Sequence, residues 1–186
     1  MKSMIAGTEG VILNPRNSIG LNLWEWVGEF PTLPLTMIKY RNLDKVYDEL
    51  PDAVKLVVLH MKGFVPNDPD MNLLLDYKVR DLKEGDTGCP LSFWHLDVVE
   101  NPHHQSKPDR HWIFSTEIGT EFMTSEIRVD SNVRSFKEVE VEDYSSIITK
   151  PKTINSYGRF NLHRATPVER DCRRVLIRLT QTEVIK

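Results

Sequence analysis

From Met71 onward the chain is a succession of short β-prone runs separated by turn residues, and this rhythm limits the fold more than any other feature. Strands are expected at 73–80, 91–99, 110–118, 120–123, 126–129, 137–141, 145–149, 157–163 and 173–184. Many short strands broken by turns pack as a sandwich or a barrel. The front of the chain reads differently. Residues 1–40 are punctuated by Pro15, Pro31 and Pro34 and are expected to be irregular, with 21–27 as a short strand or an aromatic-rich loop. Between Asn42 and Phe64, the residues Leu43, Val46, Tyr47, Leu50, Val54, Val57, Val58 and Met61 recur at helical spacing. Asn42 suits an N-cap, and Pro51 is expected to split the segment into two short helices. A strand over 55–61, rich in Val and Leu, is the alternative there. The expectation is one domain over residues 1–186, with residues 1–70 as a helical and irregular cover and 71–186 as a β core.

A chain of 186 residues can bury roughly 70% of its unfolded surface, so its core needs no disulfide or structural metal. Cys89 and Cys172 are the two cysteines, too few for a disulfide framework. A formal charge of -3 gives no support for broad electrostatic binding of nucleic acid or anionic membrane. No apolar run approaches the ~18 residues of a membrane span. Polar residues from Thr8 to Arg16 interrupt the start, which lacks the apolar centre of a signal peptide. A cytoplasmic protein acting on a small molecule, with no membrane partner, is expected.

Chemistry is concentrated in two places. Trp94-His95-Leu96-Asp97 contains a His-x-Asp pair, and His163 follows much later. Two imidazoles and one carboxylate form the facial triad that holds ferrous iron and leaves the opposite positions open. On a strand, residues i and i+2 share a face, so His95 and Asp97 can reach one metal while Leu96 points into packing. His163 must then come from a neighbouring strand. The second place is Arg173 to Thr180. Alternation puts Arg174, Leu176, Arg178 and Thr180 on one face and Val175, Ile177 and Leu179 on the other. Two inward arginines are costly without counter-charge. A dicarboxylate would supply it, since arginine binds a carboxylate through two parallel charge-assisted bonds. A solvated, exposed sheet face is the competing reading of the same alternation.

Taken together, His95-x-Asp97, His163-Arg164-Ala165-Thr166, Arg174 and Arg178 resemble the Fe(II)/2-oxoglutarate-dependent oxygenase superfamily, most closely the taurine-dioxygenase-like group. The resemblance covers roughly residues 85–184. It implies a mainly β fold with flanking helices, a double-stranded β-helix (jelly-roll, cupin-like) barrel. It implies that His95, Asp97 and His163 bind Fe(II), that Arg174 or Arg178 holds the distal carboxylate of 2-oxoglutarate, and that Thr180 completes an Arg-x-Thr clamp. Gly119-Thr120-Glu121-Phe122 is similar to a Thr segment whose hydroxyl contacts the cosubstrate in that group, with Thr116 in reserve. The implied reaction consumes dioxygen, releases succinate and CO2, and hydroxylates a substrate. Related halogenases have a small residue in place of the carboxylate, so Asp97 implies hydroxylation. Only 65 residues separate Asp97 from His163, too few for the long insertions of the taurine-like enzymes, so a sulfonate substrate is not implied.

Other residues compete for these roles. His103, His104 and His111 fall in or beside a polar stretch and are expected to be solvated on a surface loop. His60 is expected on a helix near the core edge, Cys172 as an inert thiol, and Trp94, Trp112, Tyr157 and Phe160 as core or pocket wall. Arg159 and Arg164 could assist an anionic substrate or sit at the surface. Two other functions fit a β-barrel: a cupin-like metalloenzyme that does not use 2-oxoglutarate, and a non-catalytic binding module. The first commonly carries a Gly-rich His-x-His segment, which this sequence lacks.

Overall fold

The computed structural model describes residues 11–89, 93–97, 107–129 and 144–184. The elements follow in the order β1 (Val11–Leu13), β2 (Gly20–Glu25), β3 (Thr36–Asn42), α1 (Leu43–Val46), a 3-10 turn (Tyr47–Glu49), α2 (Asp52–Phe64), β4 (Asn72–Leu82), β5 (Arg110–Ser115), β6 (Thr120–Met123), β7 (Ile127–Val129), β8 (Ser146–Ile148), β9 (Thr153–Gly158), β10 (His163–Ala165) and β11 (Cys172–Thr182). A six-stranded sheet runs β2-β9-β5-β11-β4-β3, a three-stranded sheet runs β10-β6-β8, and β1 pairs with β7. These pairings are antiparallel. The arrangement is a mainly β jelly roll with flanking helices.

The alternation of β11 decides what lies on each side of the large sheet. Val175, Ile177 and Leu179 are buried with Leu75, Tyr77 and Val79 of β4 and Trp112 and Phe114 of β5. Against them packs α2, through Val54, Val57, Val58 and Met61, each 0% exposed. These four sit at helical positions i, i+3, i+4 and i+7, one apolar stripe. Removing each such side chain from water contributes roughly 1.5–3 kcal/mol. Asn42 caps α1, its side chain accepting from the Asp44 backbone N–H, and Pro51 stands at the N-cap of α2. The helical reading of 55–61 therefore holds over the strand alternative.

Register puts polar residues on the opposite, inner face. Arg174 lies opposite Arg80, Leu176 opposite Lys78, and Arg178 opposite Asp76 on β4. On the other flank of β11, Thr180 lies opposite His111, Arg178 opposite Ile113, and Leu176 opposite Ser115. Tyr157 of β9 pairs with His111. Phe122 of the small sheet packs on Ile113 and Tyr157, so the small sheet covers part of this inner face.

Three expectations need correction. Of residues 1–40, the described residues 11–40 are not irregular: β1, β2 and the start of β3 form there, and β2 and β3 are the two edges of the large sheet. Short edge strands need only one partner, so weak patterning suffices to form them. The run 157–163 is not one strand. Gly158 and Asn161 make a turn, with Asn161 N–H donating to Gly158 O and Gly158 N–H to the Asn161 side chain. The chain thereby leaves the large sheet as β9 and enters the small one as β10. Within 91–99, the described residues 93–97 form only a bridge at His95. The expected strand 137–141 lies outside the described residues. Among the described residues, no helix is long and apolar enough to cross a membrane.

Candidate metal centre

The turn at Gly158–Leu162 delivers His163 to the inner side of the small sheet, opposite Phe122. Segment 93–97 runs beside β10: His95 N–H donates to His163 O at 3.0 Å and His163 N–H to His95 O at 3.1 Å. This mutual bridge brings the two imidazoles together, ring centroids 4.4 Å apart. Asp97, two residues on, turns to the same place. The donor atoms of His95, Asp97 and His163 all lie within 4.8 Å of one another, a group that could hold a metal ion.

Hydrogen bonding fixes which nitrogen each imidazole offers. His95 Nδ1 lies 2.9 Å from Phe93 O, and His163 Nδ1 lies 3.0 Å from Asn161 O. A carbonyl oxygen only accepts, so each Nδ1 carries a proton and Nε2 is the ring nitrogen left to face the cluster. His163 Nε2 then stands 3.1 Å from Asp97 Oδ2. At that distance a proton or a cation resting against both atoms holds them together. Burial pushes the His95 pKa down, with the neighbouring His163 adding to it, which favours the neutral, ligating imidazole. Neutral imidazole nitrogen with carboxylate oxygen is a donor set that suits ferrous iron.

The carboxylate is held from behind. Tyr157 donates its hydroxyl to Asp97 Oδ2 at 2.6 Å, and Arg178 Nη1 donates to the same oxygen. Burial would raise the Asp97 pKa, but Arg178 and His163 prevail and hold the carboxyl well below the usual range. Burial, with the Asp97 charge added, pushes the Tyr157 phenol well above its ordinary value, so it stays a donor. Arg178 also donates through Nε and Nη2 to Asp76 Oδ2, at 3.1 and 2.7 Å, and through Nη2 to the Tyr40 hydroxyl at 2.9 Å. Tyr40 reaches inward because β3 shifts register between Ile38 and Arg41, with Tyr40 at φ 47°. A bulge with a left-handed residue re-aims a side chain in this way.

The two inward arginines thus differ. Arg178 spends its donors on Asp76, Asp97 and Tyr40. Arg174, 8% exposed, donates Nη1 to the Thr87 carbonyl at 2.9 Å, and among the described residues no carboxylate lies within 4.0 Å of it. Thr180 is buried and bonds through its hydroxyl to His111 Nδ1 at 3.0 Å rather than to an arginine. Thr120 shares the inner face with Phe122 and is half-buried, its N–H donating to Thr149 Oγ1. Thr116 is tied to β11, its hydroxyl accepting from Val175 N–H.

His111 is a further correction. It is not on a solvated loop but 0% exposed on β5, stacked on Tyr157 with centroids 4.8 Å apart. Its Nε2 is buried without a hydrogen-bond partner. Burial pushes its pKa down to about 3. His103 and His104 lie outside the described residues. His60 stacks on Trp24 on the outer side of the sheet, centroids 4.2 Å apart. Trp94 stands under the Arg164 guanidinium, 4.5 Å from its ring centroid, and Arg164 pairs with Glu121 at 2.6 Å, so Arg164 does not face the triad unpaired. Phe160 is 38% exposed and walls nothing. Asp76, Lys78 and Arg80 went unread in the sequence, although polar residues at every second position of an apolar strand were there to be seen. Nothing local marks Tyr40.

No family model matches the sequence, and no curated protein matches it. Among solved structures the chain is similar to EvdO2 from Micromonospora carbonacea var. aurantiaca, with TM-score 0.50 and 10% identity over 82% of this chain and 68% of that one. The structure of EvdO2 complexed with 2-oxoglutarate gives TM-score 0.48 at 10% identity over the same shares of the two chains. EvdMO1 gives TM-score 0.42 at 13% identity, over 87% of this chain and 38% of that one. At these identities the likeness is one of fold, and it rests on the first comparison: a jelly roll.

Proposed function

We propose that this chain is an Fe(II)- and 2-oxoglutarate-dependent oxygenase that hydroxylates a small molecule with dioxygen. The observation that carries this reading is the convergence of His95, Asp97 and His163, with His163 Nε2 and Asp97 Oδ2 3.1 Å apart and both Nδ1 protons committed to backbone carbonyls. Such a site is built to receive a cation. Ferrous iron bound there with 2-oxoglutarate supplies the oxidation of a C–H bond, coupled to decarboxylation of the oxo acid to succinate.

The chain's own residues have separable tasks. His95, His163 and Asp97 hold the metal. Tyr157 and Arg178 occupy Asp97 Oδ2 and orient the carboxylate, as partners behind a ligand do. Arg174, the inward arginine without a carboxylate, is the clamp for the distal carboxylate of the oxo acid. Ile113, Phe122 and Leu176 keep water from the inner face beside it. A neutral His95 and an ionised Asp97 need no proton removed before metal binds at neutral pH.

Anaerobic titration of the protein with Fe(II) and 2-oxoglutarate tests the reading. A weak visible charge-transfer band is expected, and succinate release once dioxygen and a screened substrate are added. Iron binding without the band would point to a cupin-like enzyme of another type, and no iron binding would end the metal assignment.

A further inference from the structure

We propose that Lys78 and Arg80 form a second anion subsite on the inner face, which selects a substrate bearing a carboxylate or a phosphate ester. The inference rests on the oxygenase reading above and adds the substrate class.

The ground is a surplus of positive charge. Lys78, Arg80, Arg174 and Arg178 share the inner face of β4 and β11, with Asp76 and Asp97 as the acids that bond there. Arg178 takes both acids. Among the described residues, none of Lys78, Arg80 and Arg174 has an acidic partner within 4.0 Å. What they have instead is weaker: Arg174 donates to Thr87 O, and Arg80 donates to Gly88 O at 2.9 Å. Arg80 and Arg174 are direct cross-strand partners, an arrangement that destabilises a sheet when the charges are alike. Lys78 is half-buried two residues away, and burial pushes its pKa down.

One 2-oxo acid cannot balance this row. Its keto-acid end would bind at the metal, where Asp97 and one carboxylate would offset a divalent ion. Its far carboxylate balances one cation, Arg174. Lys78 and Arg80 remain, and the chemistry that satisfies them is a second anion. Geometry gives that anion a way in. Lys78 pairs with Met37 of the edge strand β3, and Met37 is 61% exposed. Arg80 Nη2 lies 4.0 Å from Met37 Sδ. The row therefore runs from buried Arg174 to an open sheet edge, with the cosubstrate end inside and the substrate end at the rim.

The test is calorimetric binding of ethyl phosphate and of propionate to protein saturated with Mn(II) and 2-oxoglutarate, at fixed ionic strength, with propionamide as the neutral counterpart. Saturable binding of one anion and none of propionamide is expected, and the anion that binds identifies the head group. Lys78→Met and Arg80→Met, which keep the aliphatic stems, should each weaken it about tenfold, the effect of losing one charge-assisted contact. Lys78→Arg should restore it, and 2-oxoglutarate affinity should stay within about twofold in all three. Loaded protein that binds neither anion overturns the inference, as does wild-type affinity for the anion in both Met variants. So does a Lys78→Met variant that loses 2-oxoglutarate as Arg174→Met does, since the whole row would then serve the oxo acid. Wild type that takes no 2-oxoglutarate fells the oxygenase reading and this inference together, a result distinct from oxo acid bound and second anion refused.

Discussion

His111 makes the stability of this fold depend on pH in a way that can be worked through. Its ring is 0% exposed and its pKa stands at about 3, against 6.5 for a free histidine. The folded protein keeps the ring neutral over a range where the unfolded chain takes up a proton. The unfolded state then binds more protons, so stability falls as pH falls below about 6.5 and goes on falling until the folded pKa is reached. Between pH 7 and pH 5 the linkage integral for this one group comes to about 2 kcal/mol, approaching 1.4 kcal/mol for each further unit. The assay is urea unfolding of metal-free wild type and His111→Gln at the two pH values. Glutamine keeps a polar partner for Thr180 and removes the proton. Whatever the absolute stability of each protein, the drop from pH 7 to pH 5 should be about 2 kcal/mol smaller in the variant. Equal drops would show that His111 is not buried neutral, and would take with them its placement behind Tyr157.

Other expectations follow from the same network. Arg178→Met leaves Asp76, 1% exposed, without its guanidinium and should cost about 3–5 kcal/mol in urea unfolding, part of it recovered by adding Asp76→Asn; a cost under about 1 kcal/mol would deny the buried pairing. The depressed Asp97 carboxyl contributes stability above its unfolded pKa of roughly 3.9 and loses it as pH falls toward the folded value, so Asp97→Asn should flatten the acid limb below pH 4. Arg174→Met should raise the KM for 2-oxoglutarate by at least tenfold with a smaller change in kcat, whereas His95→Ala should abolish both iron binding and succinate release. Gly119→Ala should unfold or strongly destabilise the protein, because a Cβ there would stand 1.9 Å from the Thr149 carbonyl oxygen; a normal melting curve would contradict that packing.

The split of β11 into an apolar and a polar face was legible because alternation over eleven residues depends only on backbone geometry. The same rule applies to β4, where Asp76, Lys78 and Arg80 alternate with Tyr77 and Val79, although the apolar run 73–75 before them blurs the period. Asn42 and Pro51 were legible for a similar reason, since capping and ring closure act on the residue's own backbone. What was hidden needed long-range contact. His111 sits next to a polar stretch, and its burial depends on β9 and β11 closing over β5. The break at Gly158 could have been read from Gly158 and Asn161, but that the chain changes sheets there follows only from pairing with Phe122.

Tyr40 shows why the centre as a whole resists reading from pattern. A tyrosine with positive φ at an edge-strand bulge has no signature in composition, yet its hydroxyl holds the guanidinium that holds Asp97. Asp97 is therefore tied through Arg178 to Asp76 and Tyr40, and through Tyr157 to β9, before any cation arrives. A carboxylate so anchored is oriented toward His163 before a ligand arrives, so little of its orientation is left to be fixed at binding. The motif His-x-Asp names the atoms that could meet a metal; the far strands decide where they point. Any change that frees Asp97 from both Arg178 and Tyr157 should then weaken metal binding without touching a ligand, which separates orientation from coordination in a single double variant.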